Sequence, residues 1–70
     1  QSGIPDLLGC LPNGKMIAIE LKSENGTVSE LQKYNLTKIS DCGGFACVLR
    51  PSNYDSFKTK VLQLINNGEL

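Results

Sequence analysis

The 70-residue chain contains no histidine. That removes the imidazole base on which serine and cysteine nucleophiles ordinarily depend, and it argues against a zinc site. Cysteine is sparse and odd in number: Cys10, Cys42 and Cys47, with no Cys-x-x-Cys. Such usage does not read as a disulfide framework and fits a reducing cytosol, so a cytoplasmic location is expected. There is no excess of either charge, with seven Lys/Arg against seven Asp/Glu. No global basic field therefore announces nucleic acid, although a local patch stays open. No apolar run approaches the ~20 residues that span a bilayer. What remains is the composition of an ordinary globular chain, 40% hydrophobic and 20% charged. At this length residues 1–70 read as one small domain, whose core needs help from a metal or a partner subunit.

Against that background one spacing stands out: Pro5-Asp6, thirteen residues, then Glu20-x-Lys22. Two apolar runs, Asp6–Leu11 and Lys15–Lys22, flank Pro12-Asn13-Gly14 and read as a β-hairpin. Pro12 has no N–H to pair with position 15, so a three-residue loop fits better than a two-residue turn. Gly14 then takes the left-handed position, Leu11 faces Lys15, and opposite residues sum to 26. Asp6 falls across from Glu20, with Cβ atoms roughly 4.5–5.5 Å apart. Lys22 shares the face of Glu20, because side chains alternate with period 2. Two opposed carboxylates repel, so positive charge is expected between them, from Lys22 and from a divalent cation. An all-oxygen set favours a hard ion such as Mg²⁺ or Mn²⁺. The bland alternative makes Asp6 the end of a loop and Glu20 with Lys22 a solvent-facing pair.

Downstream, Ser23–Thr27 is a polar connection. A helix is expected over about Val28–Cys42, with two candidate capping boxes, Thr27 with Glu30 and Ser29 with Gln32. Leu31, Tyr34, Ile39 and Cys42 form its apolar stripe, and Gly43-Gly44 ends it. Phe45–Leu49 is a continuous apolar run, read as a strand buried on both faces and ended by Pro51. Cys10 and Cys47, in apolar strand-like runs, read as small buried hydrophobes. Ser52 with Asp55 opens a last helix whose apolar face is Tyr54, Phe57, Val61, Leu64 and Ile65, stopped by Asn66-Asn67-Gly68. The order is β-β-α-β-α. The two strands around the first helix are parallel, which makes an α/β fold with a mixed sheet and flanking helices.

Taken in order, Gly3-Ile4-Pro5-Asp6-Leu7, Ile19-Glu20-Leu21-Lys22, Ser29-x-x-Gln32 and Gly43-Gly44 before an apolar strand resemble the VRR-NUC domain. That domain is the virus-type replication-repair branch of the PD-(D/E)XK nucleases. The resemblance implies a minimal restriction-endonuclease-like core and a Mg²⁺- or Mn²⁺-dependent phosphodiesterase acting on DNA. Asp6, Glu20 and the backbone carbonyl of Leu21 would bind the metal. Lys22 would orient or help deprotonate the attacking water and offset charge on the phosphate. Gln32 matches the glutamine that borders the site, and it is equally the natural capping partner of Ser29. Ser2 and Gly3 could approach phosphate by backbone or be plain loop. Lys33, Lys38 and Arg50 could contact the DNA backbone or be solvated.

Family members usually carry a helix before Gly-x-Pro-Asp with a further acidic residue, and Gln1 begins directly before the motif. A core cut from a longer protein, or a partner subunit supplying the rest, is expected. Small standalone members look like homodimeric enzymes that cut four-way DNA junctions, which suits a bacterial or phage-infected host cell. Two other readings stay open: an endonuclease of the repair or restriction type on flap or plain duplex, and a non-catalytic DNA-binding or dimerisation module.

Overall fold

Pro12, Asn13 and Gly14 turn the chain back on itself as a three-residue loop. The Leu11 N–H donates to the Lys15 carbonyl at 2.8 Å, and the Gly14 N–H donates to the Leu11 carbonyl at 2.8 Å. Gly14 sits at φ +91°, where a side chain would be strained. Asn13 Oδ1 accepts from the Lys15 N–H at 2.9 Å and steadies the turn. The expected register follows, from Leu7 opposite Ile19 to Cys10 opposite Met16.

The computed structural model of the chain describes residues 3–66. Its elements are strand β1 (Leu7–Cys10), strand β2 (Met16–Leu21), helix α1 (Glu30–Asp41), strand β3 (Phe45–Leu49), a single 3-10 turn (Pro51–Asn53) and helix α2 (Tyr54–Asn66). The sheet order is β1-β2-β3, with β1 antiparallel and β3 parallel to β2. The expected β-β-α-β-α order and mixed sheet are therefore present.

The helices lie on opposite faces of this sheet. Gln32 of α1 reaches Glu20, so α1 covers the face of Ala18 and Glu20. Phe45 pairs with Ile17, whose side chain points the other way, and Phe57 of α2 meets Phe45 with ring centroids 6.5 Å apart. The core is thin. Among the described residues, the buried hydrophobic side chains are Ala18 and Leu11.

Several expectations about the faces are corrected. Of the two candidate capping boxes, Ser29 with Gln32 forms, and α1 begins at Glu30. The side of α1 turned to the sheet carries half-buried Gln32, Asn35, Leu36 and Ile39, while Leu31, Tyr34 and Cys42 are exposed. Two polar side chains displaced the expected stripe because each has an inward partner, described below. Residues of β3 are half-buried rather than enclosed, since β3 is an edge strand. Cys10 is exposed on the opposite edge strand, and only Cys47 is partly buried. Tyr54 is exposed; Phe57, Val61, Leu64 and Ile65 carry the inner face of α2. Ser52 does not cap α2, because its hydroxyl donates to Glu24 Oε2 at 2.9 Å. Asn67 and Gly68 lie outside the described residues.

Candidate active site

The site forms at the C-terminal ends of the parallel strands β2 and β3, where open α/β sheets commonly bind ligands. Glu20 is the last inward-facing residue of β2 and is 3% exposed, although it is a carboxylate. The expectation of a solvent-facing pair is thus excluded for this residue. Its Oε2 accepts a hydrogen bond from Gln32 Nε2 at 2.8 Å and faces Lys22 Nζ at 3.8 Å. Its Oε1 is buried with no hydrogen-bond partner among the described residues. A bare charged oxygen of this kind costs about 1–3 kcal/mol or more when nothing compensates it. One oxygen therefore has two partners, and the other has none among the described residues.

Gln32 joins the two roles weighed for it. Its backbone N–H donates to Ser29 Oγ at 3.1 Å, and its Oε1 accepts from the Ser29 N–H at 2.8 Å, which closes the capping box. That leaves Nε2, the other end of the same amide, for Glu20. A glutamate at this position would cap equally well but could not donate.

Asp6 lies one residue before β1, exposed, and its Oδ2 accepts from the Leu21 N–H at 2.8 Å. A side chain thus takes the ladder place that a strand carbonyl would have filled. This bond brings the Asp6 carboxylate to the strand end that carries Glu20. The segment before it is anchored to α1. Gly3 is buried at φ +74°, and an added Cβ would lie 2.6 Å from Leu31 Cγ. The Gly3 carbonyl accepts from Asn35 Nδ2 at 3.0 Å. Gly3 is thereby engaged with α1, while Ser2 lies outside the described residues.

Lys22 follows the strand, with a side chain 20% exposed, and its backbone N–H donates to the Leu49 carbonyl at 3.0 Å. Lys33 lies on the exposed side of α1 and is paired with Glu30 at 3.2 Å. Lys38 lies over the Tyr34 ring at 5.8 Å. Arg50 is half-buried, and its Nη1 donates to the carbonyls of Ser23, Glu24 and Gly26. Asn35 and Arg50 were not singled out as anchors. Asn35 was detectable as a second polar residue three positions after Gln32 on one helix face. Nothing local marked Arg50, whose partners lie 24–27 positions away.

Among the described residues, no three His, Cys, Asp or Glu side chains gather as a metal-binding group. The available donors are two carboxylates and the Leu21 carbonyl. Mg²⁺ is commonly held by one or two carboxylates together with waters and substrate phosphates. The bare Glu20 Oε1 fits that chemistry.

The thin mixed sheet flanked by helices thus carries Asp6, Glu20 and Lys22 at one strand end. The family model of the VRR-NUC domain matches residues 1–53, and the chain belongs to that family. Membership makes it a nuclease-type domain with DNA as the implied substrate class. No curated protein and no solved structure matches the chain.

Proposed function

We propose that this domain is a metal-dependent, structure-specific DNA endonuclease that acts as a homodimer on four-way junctions. The observation that carries the reading is the buried, unpartnered Oε1 of Glu20, two residues from Lys22 and beside the strand end that Asp6 caps. Asp6, Glu20 and the Leu21 carbonyl would hold Mg²⁺ or Mn²⁺. Such an ion, when bound, supplies a water of lowered pKa and neutralises charge that builds on the phosphate. The chain's own residues do the positioning. Gln32 fixes the Glu20 carboxylate by donating to Oε2. Lys22 either, as an ammonium, orients the attacking water and offsets charge on a non-bridging phosphate oxygen, or, as the neutral amine, helps take the proton of that water. Fixed charges of this kind supply much of the acceleration in phosphoryl transfer.

The dimer is supported by the thin core and by apolar side chains left in water around the hairpin. Leu7, Leu8 and Met16 are each 41–53% exposed. Apolar surface of this sort suits a partner copy, and a two-fold dimer suits a two-fold junction. The proposed compartment is the cytoplasm of a bacterial or phage-infected cell, in keeping with three free thiols.

Cleavage of a labelled four-way junction in Mg²⁺ and Mn²⁺, beside flap and plain duplex substrates, tests the reading. Junction cutting that requires metal and disappears in Asp6→Ala and Lys22→Ala is expected. Preferential cutting of flap or duplex would favour a repair- or restriction-type enzyme. Binding without cutting would leave a non-catalytic module.

A further inference from the structure

We infer that Arg50 is a positioning residue for Lys22, acting through the backbone of the loop that joins β2 to α1. Arg50 follows β3 directly. Its Nη1 lies 2.8 Å from the Ser23 carbonyl, 2.7 Å from that of Gly26 and 3.3 Å from that of Glu24. One nitrogen has two N–H groups, so two carbonyls are held firmly and the third shares a proton. Bonds from a charged donor are about twice as strong as neutral ones, which suits Arg50 to fix the eight-residue connection between β2 and α1, which holds no helix or strand.

Arg50 is itself held. Its N–H donates to Asn53 Oδ1 at 2.9 Å, and Asn53 Nδ2 donates to the Val48 carbonyl at 3.0 Å. Ser52 adds its bond to Glu24, so β3 and the turn after it form a rigid frame for the loop.

The route to Lys22 is short. Gly26, whose carbonyl Arg50 grips most closely, neighbours the Lys22 stem: a Cβ added to Gly26 would come into van der Waals contact with Lys22 Cδ at 3.4 Å. The Lys22 backbone is tied to Leu49, the neighbour of Arg50, at 3.0 Å. Lys22 is therefore tied to this frame through its backbone, its stem passes beside the loop that Arg50 holds, and its ammonium faces Glu20 Oε2 at 3.8 Å. Without Arg50 the loop carbonyls turn to water and Gly26 leaves the stem. The ammonium then samples solvent instead of the site. The carbonyls occupy the N–H groups of Arg50 Nη1 but leave its charge in place, so Arg50 makes no phosphate contact through that nitrogen.

This inference rests on Lys22 being catalytic, and a double-mutant cycle separates the two claims. If Lys22→Ala cuts DNA as well as the native protein, the reading of Lys22 fails. If it does not, Arg50→Gln is expected to lower kcat about tenfold or more while KM stays within about twofold. The dependence of DNA binding on salt should stay unchanged, whereas losing a phosphate contact would reduce its slope by about 1. Adding Arg50→Gln to Lys22→Ala should cost little more, because the two act as one unit. Additive losses, or a raised KM with a reduced salt slope, would overturn the assignment.

A readout independent of cleavage is the NMR signal of the Lys22 Cε methylene. It should move toward that of a free lysine in Arg50→Gln. Should that variant not fold, Asn53→Ala, which removes the acceptor that holds Arg50 and leaves the Lys22 surroundings otherwise unchanged, should move the same signal. A Lys22 signal that stays at its native position in the folded variant contradicts the inference.

Discussion

Gln32 Nε2 donates to Glu20 Oε2 at 2.8 Å and leaves Glu20 Oε1 buried and bare. The bond links the first turn of α1 to the end of β2. The residue that starts the helix thereby also sets the carboxylate, and helix capping and site geometry are coupled through one amide group. The two can be separated by mutation because they use opposite ends of that amide.

Gln32→Glu keeps the capping box but replaces the donor with a second carboxylate beside Glu20. Stability should fall by about 1–3 kcal/mol, the cost of an unsatisfied buried group. Cleavage should fall further than the loss of folded protein explains. Ser29→Ala makes the converse cut: the cap is lost at ~1 kcal/mol, while Nε2 stays available to Glu20. Its cleavage per folded molecule should stay near native. Thermal melts and cleavage rates on both variants check the separation.

Gly3→Ala places a methyl group 2.6 Å from Leu31 Cγ at a backbone φ of +74°. A loss of about 1–3 kcal/mol is expected from strain and overpacking. The displaced segment leads directly into Asp6, so metal-dependent stabilisation should weaken as well. Leu31→Ala in the same chain removes the steric part and should restore some of the loss. Denaturant melts with and without Mn²⁺ measure both effects.

The three thiols should differ in reactivity. Burial pushes the Cys47 thiol up from its ordinary pKa, whereas Cys10 and Cys42 are exposed. Because the thiolate is the reacting form, Cys47 should be alkylated last at mildly alkaline pH, and its rate should keep rising to higher pH. Mass spectrometry of timed alkylation gives the order. Equal rates at all three positions would contradict the packing of β3 against α2.

The hairpin was legible because its determinants are local. Pro12 forbids one turn, Gly14 permits another, and the sum of 26 then sets the register. The capping pair Ser29–Gln32 was legible for the same reason. The inner face of α1 was not, because hydrophobic periodicity assumes that apolar side chains turn inward. Here Gln32 and Asn35 turn inward to meet Glu20 and Gly3, partners far apart in sequence. The role of Arg50 was hidden likewise, since backbone carbonyls carry no residue identity to read. Cys10 failed for a different reason. An apolar strand is buried only if something covers it, and β1 is an edge strand that nothing covers among the described residues.

As a cation ligand, the Oε1 of Glu20 makes Mn²⁺ binding depend on that carboxylate. Calorimetric titration of Mn²⁺ into the native protein and into Glu20→Gln, with melts of both, tests it most directly. The native protein should bind and be stabilised by the ion, as any ligand of the folded state requires. Glu20→Gln should stay folded without metal and show neither binding nor stabilisation. Mn²⁺ binding of equal strength in Glu20→Gln, or no binding by the native protein, would contradict the account.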